Sequence, residues 1–215
     1  MRYVSGMDEL TTEAPAGGIL VLAAHPDWRE SRVNRRLADA AQAVPGVRLQ
    51  DLYGQYADYD IDVAGEQSLA AAARLIVLLH PVQWYSMPAL LKLWLDEVLA
   101  YGWAYGPGGT ALQGKGLWLV ATTGSPESSY HPASYNRYFF DAFLPPYEQT
   151  AALCGMRFLP PLLLHGANRA SEEEVASHVQ VFQQRLGSYP QWPELEALDP
   201  CPACEVPSGD RPSHD

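Results

Sequence analysis

Five short apolar runs recur along the chain, at Ile19 to Ala24, Val47 to Leu52, Leu75 to Leu79, Leu117 to Ala121 and Phe158 to Leu164, with helical patterns between them. The first, third and fourth are continuously apolar rather than alternating, which is the pattern of strands covered on both faces. Such strands need crossover helices above and below, so the order predicts an open parallel α/β sheet. The helical patterns fall at 32–43, 65–73, 87–101, 135–154 and 171–186. Ser171 followed by Glu174 is a capping box that predicts where the last helix starts. Ser86 is placed to cap the third helix, with Pro88 in its first turn and Leu91, Trp94, Leu95 and Val98 as one apolar stripe. Pro145 and Pro146 predict a break or kink in the fourth.

With 215 residues and 47% hydrophobic content, the chain can bury a sizeable core as one domain. Residues 1–18 lack an apolar period and read as a flexible lead-in, 19–192 as the folded domain, and 193–215, rich in Pro, Glu and Ser, as a disordered tail. A net charge of −11 argues against nucleic-acid and anionic-lipid partners, whose surfaces would be repelled. No apolar run approaches the roughly 18 residues of a spanning helix, and Asp8, Glu9 and Glu13 replace a hydrophobic leader. The expectation is a cytoplasmic protein without membrane insertion. Three cysteines make no disulfide framework; Cys154 reads as a buried inert thiol. Cys201 and Cys204 lack both the helix start of a redox pair and the further ligands of a zinc site, so no metal is expected.

In open α/β sheets ligands bind outside the carboxyl ends of the strands, which directs attention to the loops after the first, third and fourth runs. The first runs from Ala24 to Asn34 into a helix start, where free amides and the dipole suit a phosphate. It has neither a G-x-G-x-x-G pattern nor a Walker lysine, so side-chain donors would come from His25, Ser31, Arg32 and Asn34. Ser31 as a plain helix cap is the competing reading. The second loop, Pro81-Val82-Gln83-Trp84-Tyr85, offers a planar heterocycle an apolar face, aromatic contact and backbone bonds, although its aromatics also suit core-edge anchors. The third, Thr122-Thr123-Gly124-Ser125, permits close backbone approach at Gly124, or is an ordinary turn. His165, at the end of the last run, is placed to approach a substrate, but a lone histidine at a strand end more often bonds to backbone.

Taken together in order and spacing, these residues resemble the NAD(P)H quinone reductase branch of the flavodoxin-like proteins. The resemblance rests on His25-Pro26, Ser31-Arg32-Val33-Asn34, Asp51-Leu52-Tyr53, the stretch from His80 to Lys92, Gly102 to Gly106 and the Thr122 loop. It is nearest to the ancillary proteins of glutathione-regulated potassium-efflux systems. It implies a five-stranded sheet of order 2-1-3-4-5 with helices on both faces, and FMN as cofactor reduced by NADH or NADPH. It implies that His25, Ser31, Arg32, Val33 and Asn34 surround the phosphate and ribityl chain. Pro81, Val82, Gln83, Trp84 and Tyr85 would line the isoalloxazine, and Thr122, Thr123, Gly124 and Ser125 its pyrimidine end. A quinone-like electrophile would be the acceptor, with Tyr130 and His131 assisting charge stabilisation. A homodimer is implied, with Trp94, Tyr101, Trp103 and Tyr105 as interface aromatics, although Trp94 suits core packing at least as well, and so is docking at the cytoplasmic face of a potassium-efflux antiporter. Pro126 stands where some relatives carry a second glycine, and it has no N–H to offer.

Overall fold

A computed structural model of the protein describes residues 18–196 and 198. The lead-in up to residue 17, Cys201 and Cys204 lie outside the described residues. Five parallel strands, β1 (Gly18–Ala23), β2 (Val47–Asp51), β3 (Ala73–Pro81), β4 (Gly116–Thr122) and β5 (Arg157–Leu164), form one sheet of order β2-β1-β3-β4-β5. That is the architecture the apolar runs and the resemblance predict. Alternate residues of each central strand feed two separate cores. Leu20, Leu22, Ile76, Leu78, Leu117 and Leu119 face the side covered by α3 (Val63–Ala72), α4 (Ala89–Val98) and α5 (Pro145–Leu153). Val21, Val77 and Trp118 face α1 (Val33–Gln42) and α6 (Glu172–Ser188). A short α2 (Leu52–Gln55), unforeseen in the sequence, is capped by Asp51, whose carboxylate accepts from the Gly54 amide at 3.2 Å.

Two helix boundaries differ from expectation, for identifiable reasons. α4 begins at Ala89, with Pro88 at the cap position and no side-chain cap. Ser86 is instead engaged with Gln83, each amide donating to the other's carbonyl at 3.0 Å. The prolines at 145 and 146 do not break a helix; they start one, occupying the first turn of α5 where a missing N–H leaves no bond unmade. The stretch before them is irregular apart from a 3-10 turn at Phe140–Phe143. The capping box at Ser171 is formed, with Glu174 N donating to Ser171 Oγ at 3.2 Å and the Ser171 amide donating to Glu174 Oε2 at 2.6 Å.

Pro160 and Pro161 fall in β5, an edge strand, where a missing N–H interrupts no outer ladder. Past Trp192, where the sequence predicts the tail to begin, Pro193–Glu196 forms a 3-10 turn with Leu195 buried. Trp94 belongs to the core rather than to an interface: its indole donates to the buried Glu66 carboxylate at 2.8 Å, which also accepts from Tyr56 and Gln50, each at 2.7 Å. Three neutral donors on one carboxylate satisfy its lone pairs without a cation.

Candidate functional site

The sheet brings the carboxyl ends of β1, β3 and β4 side by side, and hydrogen bonds lock their loops together. Val82 N donates to Thr122 O at 2.7 Å, and Asn34 Nδ2 donates to Thr122 Oγ1 at 2.8 Å. Thr122 is thus the point where all three loops meet.

After β1, Ser31 is buried one position before the Arg32 cap of α1, and its hydroxyl accepts from the Arg35 amide at 3.1 Å. The amides of Arg32, Val33 and Asn34 have no acceptor among the described residues. These are the unpaired donors that a helix start offers an anion. Val33 buries its side chain in the core and contributes backbone only. The Arg32 guanidinium is committed elsewhere: it pairs with Glu172 and donates to Ala170 O at 2.6 Å, tying α1 to the start of α6. His25 accepts from the Asp27 amide at 3.2 Å and stacks on Trp28 at 5.3 Å; burial holds its pKa below the ordinary value, so it is neutral. Asn34 Oδ1 is buried without a partner.

After β3, Gln83 and Ser86 close a two-residue turn whose central residues, Trp84 and Tyr85, have φ of 48° and 64°. Both aromatic residues sit in the left-handed region, which bulky side chains rarely adopt and which marks stored strain. Trp84 is 94% exposed, so no internal packing offsets that strain. Tyr85 stacks on Phe143 at 5.2 Å. Pro81 ends β3, and the fully buried His80 behind it donates from Nδ1 to Pro81 O at 3.0 Å. Its Nε2 accepts from Tyr147 OH at 3.3 Å, and burial pushes its pKa down to about 4.

After β4, Thr123 Oγ1 donates to Ser125 O at 2.7 Å, and Ser125 O also accepts from Gly166 N at 2.8 Å. The turn is held so that the Gly124 and Ser125 amides meet no acceptor among the described residues. A Cβ on Gly124 would contact only the Asn168 side chain, at 3.8 Å. Nothing inside the protein requires glycine there.

The two residues named for charge stabilisation part company. Tyr130 is buried against Phe140 at 5.2 Å, and burial raises its pKa. His131 is solvent-exposed, accepting from the Ala133 amide at 3.1 Å and lying edge-on to Phe139. The histidine beside Tyr130 is His165, at 5.3 Å. Its Nδ1 lies 3.1 Å from Thr123 Oγ1, so a side chain rather than backbone holds it. Because the Thr123 hydroxyl already donates to Ser125 O, Nδ1 must carry the proton and Nε2 the lone pair. Burial keeps this ring neutral near pH 7. The loop after β5, which the sequence marks only by His165, therefore lies against the Thr123 turn. In sequence His165 stands alone after a strand, and only strand order brings it to Thr123.

The region 131–139 adds exposed aromatics to the same rim: Tyr135, Tyr138 and Phe139 are 66%, 60% and 56% exposed. Tyr135 OH donates to Ser125 Oγ at 2.6 Å, and Tyr138 packs edge-on against Phe143.

A family model described as the flavodoxin-like fold matches residues 18–186. The chain belongs to that family. It is 45% identical, over 168 residues covering 78% of this chain and 94% of the relative, to the glutathione-regulated potassium-efflux system ancillary protein KefF of Citrobacter koseri. Among solved structures it is similar to general stress protein 14 of Treponema denticola in complex with FMN, with TM-score 0.75, 34% identity, and 80% and 98% of the two chains covered. It is similar also to an NADPH-quinone reductase of P. pentosaceus, with TM-score 0.72, 28% identity, and coverage of 79% and 97%. No helix among the described residues is long and apolar enough to cross a membrane.

Proposed function

We propose that the protein is an FMN-dependent NAD(P)H oxidoreductase that reduces quinones or similar electrophiles. The observation that carries the reading is the set of unpaired amides at two ends of one slot: Arg32, Val33 and Asn34 at the start of α1, and Gly124 and Ser125 after β4. FMN bound there would supply two-electron redox chemistry between a nicotinamide nucleotide and the acceptor. The α1 amides, with Asn34, would hold the phosphate, while the Ser31 hydroxyl shapes the turn and the Arg32 side chain braces it from behind. His25 and Trp28 would flank the ribityl chain. Pro81, Val82 and the Gln83–Ser86 turn would line the ring's edge, with Trp84 and Tyr85 as contact aromatics. Thr123 holds the turn from which the Gly124 and Ser125 amides would serve the pyrimidine end, where negative charge collects on reduction. Tyr130 and His165, rather than His131, stand behind that turn.

The exposed aromatic rim supports a homodimer in which the neighbouring copy covers Tyr138 and Phe139, since patches of this kind mark association surfaces. A second reading, supported by the 45% identical relative, is an ancillary subunit at the cytoplasmic face of a potassium-efflux antiporter, with FMN structural or redox-sensing. The two are compatible.

The test is purification followed by absorbance near the flavin bands, FMN release on denaturation, and NAD(P)H oxidation with menadione. A colourless protein that takes up no FMN sinks the flavoenzyme reading. Transport assays with Trp84→Ala separate the two roles: activation that survives loss of the flavin makes the ancillary role independent of turnover.

A further inference from the structure

Most cations among the described residues are already engaged. Arg29, Arg32, Arg36, Lys92 and Arg185 pair with carboxylates, and Arg35, Arg74, Lys115 and Arg157 donate to backbone carbonyls. Arg48, on the edge strand β2, Arg137, on the aromatic rim, and Arg169 are not so engaged, and of these Arg169 alone is carried by the loop after β5. It is exposed and makes neither an ion pair nor a side-chain hydrogen bond among the described residues, yet its backbone is pinned, its amide donating to Gly166 O at 2.8 Å. Gly166 in turn donates to Ser125 O, and Ala167 N donates to Thr123 O at 2.9 Å, so the segment carrying Arg169 is bolted to the β4 turn. Next to it, Asn168 reaches over Gly124 with its carboxamide also unengaged. The Tyr135 hydroxyl is held below the ordinary tyrosine range chiefly by its bond to Ser125 and then by Ser129, with the Arg169 charge adding to both. That charge therefore reaches the mouth of the slot. Glu127 acts on His165 nearby but makes no ion pair with Arg169.

A protein of net charge −11 repels an anionic substrate on average, so admitting one requires a local cation. We propose that the loop after β5 is a phosphate subsite for the diffusing nicotinamide nucleotide, with Arg169 as its charge partner and Asn168 as a neutral donor beside it. The inference rests on the flavoenzyme reading and adds to it where the hydride donor is gripped. A rigid backbone with a free guanidinium suits phosphate capture, because the fork is delivered to a fixed place and its donors are uncommitted.

The proposal is tested by calorimetric titration of the FMN-loaded protein with NADP+, NAD+ and phosphate-free nicotinamide riboside, comparing the parent, Arg169→Ala, Arg169→Lys and Arg48→Ala. Arg48 lies mid-strand on edge strand β2, so its removal changes net charge equally without touching the slot. Arg169→Ala should bind the phosphate-bearing nucleotides about tenfold more weakly, as loss of one charge-assisted bond predicts. Arg169→Lys should recover part of that loss. Riboside binding, FMN content and melting temperature should be unchanged, and the parent's affinity should fall with added salt. A larger loss with NADP+ than with NAD+ identifies the 2′-phosphate as the partner; equal losses identify the pyrophosphate. The subsite is overturned if Arg169→Ala binds both dinucleotides as tightly as the parent, if riboside affinity falls equally, or if Arg48→Ala reproduces the loss. A protein that takes up no FMN at the loading step overturns the flavoenzyme reading, and the subsite with it.

Discussion

The side-chain amide of Asn34 donates to Thr122 Oγ1 at 2.8 Å, so the second residue of α1 is tied to the last residue of β4 beneath the slot. Both groups are buried. Thr122→Val keeps the shape and removes the acceptor, leaving the Asn34 amide unpaired. Stability should fall by about 2 kcal/mol, read from urea unfolding, and FMN should bind more weakly as the start of α1 loosens. Unchanged unfolding and unchanged FMN affinity together would show that this bond positions nothing.

The Trp84–Tyr85 turn holds two bulky residues at positive φ while exposing Trp84 almost completely. Glycine accepts that backbone freely, so Trp84→Gly should raise stability by on the order of 1 kcal/mol while weakening FMN binding. The opposite signs are the diagnostic: a variant both less stable and equally able to bind FMN would make Trp84 an ordinary structural residue.

His80 is neutral in the folded protein, with its pKa pushed by burial to about 4 from an ordinary value of 6.5. The unfolded chain binds a proton in the window between, so this group's stabilisation is complete above pH 6.5. It declines as pH falls toward 4 and levels off below it, at a slope of up to about 1.4 kcal/mol per pH unit. His25, His165 and His178, also lowered by burial, add to the same trend. Unfolding free energies at pH 7, 6 and 5 should show the decline, and His80→Gln should flatten it. An identical slope in the variant would mean that His80 titrates normally.

Phe139 and Tyr138 project from the rim into solvent. Phe139→Glu places a charge in the surface proposed to meet a second copy, where an unpaired charge is strongly unfavourable. Light scattering should find a dimer in the parent and a monomer in the variant, at unchanged helical content. A parent that is monomeric at micromolar concentration dismisses the dimer.

Much of this protein is legible in one dimension, because its strands are covered on both faces and must be written as apolar runs. The capping box at Ser171 and the placement of the three loops at one sheet edge follow from local pattern and from the general geometry of open α/β sheets. Prolines are less transparent. Pro145 and Pro146 read as a break but serve as a start, since the same missing N–H that ruins a helix interior is harmless in its first turn. Spacing alone cannot distinguish those two positions.

What the sequence by itself determined is therefore the layered frame and which loops share one sheet edge, both consequences of hydrophobic periodicity and of the general geometry of open α/β sheets. The tertiary structure decided which side chains are free to act there. Arg32 looks like a phosphate ligand beside Ser31, yet Glu172, 140 positions further along, claims its charge. His131 adjoins Tyr130 in the chain, but His165 adjoins it in space, because β5 is paired beside β4. Arg169 carries no sequence mark at all. Its availability depends on the absence of a partner, and that is a property of the surroundings the folded chain assembles rather than of any local run of residues.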